Sequence, residues 1–219
     1  MTSRDEWHAV EIVGSGYDRM AARYLASYRP GGARDRYLEH LLLLLVNPSD
    51  VLELGSGAGE PVTRRLAERH RVTAVDLSAE QVRLAFERVP GVRFLQANML
   101  DLAFEAASFD AVAGFYAITH VPRQRHADLL GRIAEWLRPR GVLLLSMGAS
   151  DNPGNVEDDW LGVPMYFSHY DAATNLGLVK RAGFELIEAD VVEEIGPDGL
   201  AERFLWVVGR RLGTSDERQ

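Results

Sequence analysis

Val51-Leu52-Glu53-Leu54-Gly55-Ser56-Gly57-Ala58-Gly59 decides the fold. A short, β-rich apolar run breaks into glycines, and a helical pattern starts just beyond, over residues 62–68. Glycines at such a turn let the backbone bend sharply and let a ligand approach the main chain without a Cβ in the way. The same alternation repeats outward: apolar runs at 72–75, 92–95, 111–115 and 142–145, with helical spacing over 79–88 and 125–137. Parallel strands joined by helical crossovers must be covered on both faces, which is a doubly wound α/β sheet. Ser78-Ala79-Glu80-Gln81 has the form of a capping box, with hydroxyl and amide expected to satisfy each other's backbone donors.

The ends extend this frame. Two helices are expected at 7–26 and 35–46, split by Arg29-Pro30-Gly31-Gly32. Asp171 can cap a helix to Arg181, stopped by Gly183. Strands 184–192 and 203–208, joined through Gly196-Pro197-Asp198-Gly199, should pair as an antiparallel hairpin. The expectation is a Rossmann-like sheet of about seven strands, mostly parallel with that hairpin at its C-terminal end, in one domain over 1–219. Residues 1–48 form a helical lid or flank, 49–212 the core, 147–170 a substrate loop with no clear helix, and 213–219 a polar tail.

Composition bounds the function. The 219 residues are 47% hydrophobic and 26% charged, which suits a folded globule. A net charge of −8, from 24 Lys+Arg against 32 Asp+Glu, disfavours nucleic acid as partner. The absence of Cys removes disulfides, thiolate metal sites and cysteine nucleophiles. No apolar run is long enough to span a bilayer, and the start is too charged for a signal peptide, so a cytoplasmic protein acting on a small molecule, without membrane or metal, is expected.

Asp76 ends the second strand, where a carboxylate can accept from the vicinal hydroxyls of a ribose. Dinucleotide sites use G-x-G-x-x-G, and here the third glycine comes one residue early. Glu53, a charge on the first strand, would repel pyrophosphate and favours a cation; a sulfonium nucleoside with an ammonium group supplies one.

From residue 50 to 210 the chain resembles the class I S-adenosylmethionine-dependent methyltransferases. The resemblance rests on the glycine turn, Val75-Asp76-Leu77-Ser78, Asp101-Leu102-Ala103-Phe104, Ser108-Phe109-Asp110-Ala111-Val112, His120-Val121 and Leu137-Arg138-Pro139-Arg140-Gly141. It implies S-adenosylmethionine as cofactor, with Gly55, Ser56 and Gly57 beneath its methionine part and Glu53 near the ammonium. Asp76 would take the ribose, Leu77 would cover the adenine, Asn98 and Met99 would hold its edge, and Phe115 would stand beside it. The family often has Asp where this chain has Asn98; an amide oxygen still accepts from the adenine amino group, with less charge assistance. Tyr17-Asp18-Arg19-Met20-Ala21-Ala22-Arg23-Tyr24 looks like the family's lid helix, in which Tyr17 and Tyr24 either close over the donor or make ordinary helix contacts.

The acceptor belongs beyond strands four and five, near Tyr116, His120 and segment 147–170 with Trp160, Tyr166 and His169. Methyl transfer from a sulfonium is an in-line displacement that chiefly needs alignment and desolvation. Where the acceptor carries a proton, His120 and His169 are the candidate bases, and Tyr116 and Tyr166 could orient the acceptor. His8, His40, His70 and His126 read as surface or helix-end residues. The acids Glu157 to Asp159 could hold an amine, though a solvated face is the simpler reading. The expected function is methyl transfer to O or N of a small organic molecule. The rivals are an NAD(P)-binding oxidoreductase, disfavoured by Glu53 and the early glycine, and a non-catalytic module that binds the donor.

Overall fold

The computed structural model of the chain describes residues 3–213. The polar tail expected from residue 213 therefore lies, beyond Gly213, outside the described residues. Two N-terminal helices, α1 (Ser3–Ala26) and α2 (Ala33–Leu44), precede β1 (Asp50–Leu54), α3 (Val62–Ala67), β2 (Arg71–Asp76), α4 (Ala79–Arg88), β3 (Arg93–Gln96) and β4 (Phe109–Gly114). Then come α5 (His126–Trp136), β5 (Leu137–Gly148), β6 (Asn152–Trp160), β7 (Val163–His169), α6 (Ala172–Arg181), β8 (Phe184–Ile195) and β9 (Ala201–Arg211). A seven-stranded sheet has the order β3-β2-β1-β4-β5-β9-β8. The first five of these strands are parallel, and β9 pairs antiparallel with both β5 and β8.

Strand alternation sends successive side chains to two cores. Leu52, Leu54, Val112, Leu143, Leu145 and Val207 face one side, against Leu129, Leu130 and Ile133 of α5 and Val179 of α6. Val51, Ala111, Ala113, Leu144, Trp206 and Val208 face the other, against Leu66 of α3 and Tyr37, Leu38 and Leu41 of α2. Burying each Leu side chain contributes roughly 1.5–3 kcal/mol, so these two layers dominate stability. Tyr37 stacks on Trp206 with centroids 4.7 Å apart and planes 4° from parallel. Helix α2 thus flanks the sheet and forms part of its core.

Helix α1 does act as a cover. It packs on β7, and its Ala9, Val13 and Met20 form a small separate core with Trp160, Val163, Met165 and Tyr166. Within the expected substrate loop, β6 and β7 form a β-hairpin with its own two-stranded sheet. Its turn is Leu161-Gly162, with φ of 53° and 82°. Two consecutive left-handed residues match the right-handed strand twist, and sequence rules look for Asn, Asp or Gly in the first place. Arg23 of α1 donates to the Leu161 carbonyl, and a Cβ on Gly162 would meet that guanidinium at 2.6 Å, so the roof itself holds the strained turn.

Helix caps follow the sequence with one change. Asp171 accepts from Thr174 N–H at 2.8 Å, and Ser78 Oγ accepts from Gln81 N–H at 3.1 Å. The reciprocal half of the expected capping box is not made. Ser78 N–H donates instead to Asp76 Oδ1 at 2.9 Å, because a carboxylate is the stronger acceptor, and both side-chain polar atoms of Gln81 are left without partners among the described residues.

Candidate functional site

The C-terminal ends of β1 and β4 lie side by side, Leu54 opposite Gly114, at the point where the chain's strand order reverses. Ligands of open α/β sheets bind there. The turn after β1 is anchored by Gly55 and Ser56 N–H groups, which donate to the Val75 carbonyl at 2.8 and 3.0 Å. Gly55 has φ 75°, and a Cβ on it would stand 2.4 Å from the Ala117 Cβ, so only glycine fits. Gly57 N–H donates to Asp76 Oδ2 at 2.8 Å. With Ser78 N–H on its other oxygen, the Asp76 carboxylate is fixed at the strand tip. Burial pushes its pKa up to about 6, against the opposing pull of those backbone donors.

These groups border a slot of about 90 Å³. Gly55, Gly57, Asp76, Leu77, Asn98, Met99 and Phe115, all expected at the donor, line it, and Tyr17 and Tyr24 of α1 close it. Glu53 and Ser56 do not line it. Glu53 is buried behind the turn, 2% exposed, and accepts from Thr63 Oγ1 at 2.6 Å. Burial raises its pKa to about 8. Ser56 Oγ is buried without a partner among the described residues. Asn98 Oδ1 accepts from Leu100 N–H at 3.0 Å, which orders the segment after β3 and leaves its second lone pair. Sequence reading missed Gln81 as a slot residue. It is 1% exposed, its amide oxygen and nitrogen are unpaired, and it lines the slot beside Asp76. Unpaired buried amides are costly, and a ribose offers the hydroxyls that would pair them. The residues present therefore fit a nucleoside.

A second cavity of about 910 Å³ opens beside the slot, between the end of α1, the β6–β7 hairpin and the tip of β8–β9. Tyr116, His120, Trp160 and His169 line it as expected. Tyr166 does not; its ring is buried in the roof core. Tyr17, Tyr24, Tyr116 and His120 border both cavities and form their common wall.

The wall is hydrogen-bonded in a defined direction. The Tyr166 carbonyl, 2.8 Å from His120 Nδ1, can only accept, so Nδ1 carries the hydrogen and Nε2 the lone pair. Tyr17 donates its phenolic hydrogen to that Nε2 at 2.9 Å. Burial lowers the His120 pKa to about 4 and raises that of Tyr17, so both are neutral near pH 7. His169 stands over Gly148, where a Cβ would meet the ring at 2.1 Å, and its Nδ1 lies 2.6 Å from the Ser150 carbonyl. Tyr116, at φ 57°, donates to Glu194. Glu194 and Glu202 of the β8–β9 tip also line the cleft. The hairpin was legible in sequence, but its part in the site was not. Among the other histidines, His70 and His126 are buried at 7% and 1% exposure, not at the surface. His126 opens α5 and reaches the Val121 carbonyl, and His70 accepts from Ser49 N–H.

The "Methyltransferase domain" family model matches residues 51–141. An O-methyltransferase named cnsE from Penicillium expansum is 31% identical over 161 residues, covering 67% of this chain and 56% of that protein. A trans-aconitate 2-methyltransferase from Rhodopseudomonas palustris is 34% identical over 116 residues, 51% of this chain and 44% of that protein. The chain spans about half the length of these curated relatives. Among solved structures, the 1,6-didemethyltoxoflavin N1-methyltransferase of Burkholderia thailandensis, bound to its acceptor and S-adenosylhomocysteine, superposes with TM-score 0.73. That match has 24% identity and covers 97% of this chain and 92% of that one, and it shows the shared fold. With the motifs of the β1 and β2 ends, the family-model match and these relatives support a class I S-adenosylmethionine-dependent methyltransferase.

Proposed function

We propose that this methyltransferase-family chain transfers the methyl group of S-adenosylmethionine to an oxygen or nitrogen of a small organic molecule by in-line displacement. The observation that carries the reading is the shared wall: groups suited to a nucleoside at Gly55, Gly57 and Asp76 on one side, an aromatic-lined cleft on the other, and four side chains in common. The bound donor supplies an electrophilic methyl on a positively charged sulfur. The chain's own groups do the rest. Asp76 and Gln81 hold ribose hydroxyls, Leu77 and Met99 flank the base, and Asn98 accepts from its amino group.

On the acceptor side, aromatic rings exclude water, which helps align and desolvate a nucleophile. Tyr17 oxygen retains a lone pair while its hydrogen points at His120 Nε2. An acceptor proton passed to the Tyr17 oxygen can be matched by transfer of the tyrosine's own proton to Nε2, with Nδ1–H steadied on the Tyr166 carbonyl. His120 therefore works through Tyr17, while His169 faces the cleft as the alternative base.

The reading is tested by a structure with S-adenosylhomocysteine. Its sulfur should lie where Tyr17, Tyr24, Tyr116 and His120 meet; a nucleoside bound away from Asp76 would refute the assignment.

A further inference from the structure

The cleft wall holds an arrangement that a sheet by itself disfavours. Glu194 and Glu202 are direct partners across the β8–β9 ladder, and both line the cleft. Like charges so opposed destabilise strand pairing. The two are not equivalent. Tyr116 Oη donates to Glu194 at 3.0 and 3.1 Å and Trp206 Nε1 donates to it at 3.2 Å. No donor or cation engages Glu202 among the described residues. Burial and the charges of Asp198, Glu157 and Glu194, all negative, push its pKa up to about 7.

The cations of the cleft are turned elsewhere. Arg29 donates to the Ala26 and Tyr28 carbonyls, and Arg34 lies over the rings of Tyr28 and Tyr116 at 5.3 and 4.8 Å. Arg203 is exposed and is not among the charges acting on Glu202. A separate observation also asks for a ligand atom. Trp160 lines the same cleft, is 5% exposed, and its buried Nε1–H has no acceptor among the described residues. A buried donor without a partner is destabilising unless something else supplies the acceptor.

We propose that the cleft takes a basic amine on an aromatic or apolar body, with Glu202 as counter-ion of the ammonium and Trp160 Nε1–H directed to a lone-pair atom of the same molecule. This rests on the methyltransferase reading above. Rings of Tyr24, Trp160, Phe167 and Phe204 line the cleft and suit a cation carried on a flat body. On transfer, the ammonium held by Glu202 gives one proton to the Tyr17 oxygen while Tyr17 passes its own to His120 Nε2, and the freed nitrogen pair forms the C–N bond. The C–S bond breaks with its electrons going to sulfur, and the proton leaves to solvent when the product departs.

The test uses three indoles that differ only in the side-chain end: tryptamine, its alcohol tryptophol and indole-3-acetate, titrated by calorimetry into the intact chain saturated with S-adenosylhomocysteine. Tryptamine should bind at least tenfold tighter than either other probe, and its affinity should weaken as pH falls below about 7, where Glu202 takes up a proton. Glu202→Gln should remove the preference while S-adenosylhomocysteine affinity stays unchanged, and Trp160→Phe should weaken 5-methoxytryptamine, whose ether oxygen can accept from Nε1–H, more than tryptamine, which offers no acceptor there. The proposal is overturned if indole-3-acetate binds as well or better, if tryptamine shows no binding at millimolar concentration, or if Glu202→Gln keeps the preference. Absence of S-adenosylhomocysteine binding in the first step would instead refute the methyltransferase reading.

Discussion

Tyr17 of α1 donates to His120 Nε2 at 2.9 Å, and this single contact ties the roof helix to the wall between the two cavities. Because His120 Nδ1–H is spent on the Tyr166 carbonyl, the phenol meets a lone pair and not a second hydrogen. Tyr17→Phe should lower kcat by about 10²-fold, the lower end of what positioned proton transfer contributes. S-adenosylhomocysteine affinity should change little. His120→Ala should give a loss of similar size, and the double variant no further loss, as expected of groups acting as a unit. Additive losses in steady-state assays would show that the two act separately.

The pH dependence of turnover separates this pair from an ordinary histidine base. With its pKa lowered to about 4 by burial, His120 stays neutral from pH 6 to 8. His120→Ala should therefore leave the shape of the kcat profile unchanged over that range. Loss of an inflection near the usual histidine pKa in that variant would contradict the buried, neutral assignment.

Stability should also record two buried groups with opposite signs. His126, 1% exposed, has its pKa lowered to about 4, so the unfolded chain binds its proton first. Its contribution is present above about pH 6.5 and is lost as pH falls toward 4. Glu53 is raised to about 8, so the folded chain keeps a proton the unfolded chain has released. Its contribution is full below about pH 4.5 and is lost as pH rises through 8. Between pH 5 and 7, His126→Gln should make the slope of unfolding free energy more negative and Glu53→Gln more positive, each by roughly 2 kcal/mol over the interval. Urea titrations at the two pH values measure both.

Gln81→Leu offers a test in which stability and binding part. Removing two unpaired buried polar atoms should stabilise the free chain by about 1 kcal/mol while weakening S-adenosylhomocysteine roughly tenfold. Thermal melts and calorimetry read the two effects. Unchanged affinity would remove Gln81 from the donor site.

Val10, Val13, Tyr17 and Tyr24 of α1 line the donor slot. Tyr17 and Tyr24 close it, and both belong to α1, whose roof core with the β6–β7 hairpin is separate from the two sheet cores. Adding S-adenosylhomocysteine should slow amide exchange in α1 and β7 more than in β1 or β4, whose protection already reflects the sheet core.

What could be read from sequence was what local chemistry specifies. The glycine turn, the capped helix over 79–88 and the apolar strands through 145 follow from periodicity and backbone freedom. What was hidden depended on distant partners or unusual backbone. Leu161 at φ 53° concealed the β6–β7 turn, because its left-handed conformation is held by Arg23 from another element. Helix α2 gave no sign that Tyr37 would stack on Trp206 of β9. Nine of the eleven donor residues expected from the sequence line the slot; Ser56 does not, and Glu53 lies behind it with its carboxylate bonded to Thr63 at the start of α3. The opposed Glu194 and Glu202 follow from hairpin register, which becomes visible once the turn at 196–200 is placed.

The central claim is that the β1 and β2 tips form the address of a sulfonium nucleoside. Calorimetric titration of the purified chain with S-adenosylhomocysteine tests it most directly. One molecule should bind per chain with micromolar affinity, weakened at least tenfold by Asp76→Ala and lost in Gly55→Val, where the side chain would occupy the Ala117 contact. No heat at millimolar ligand, or equal binding of NAD, would contradict it.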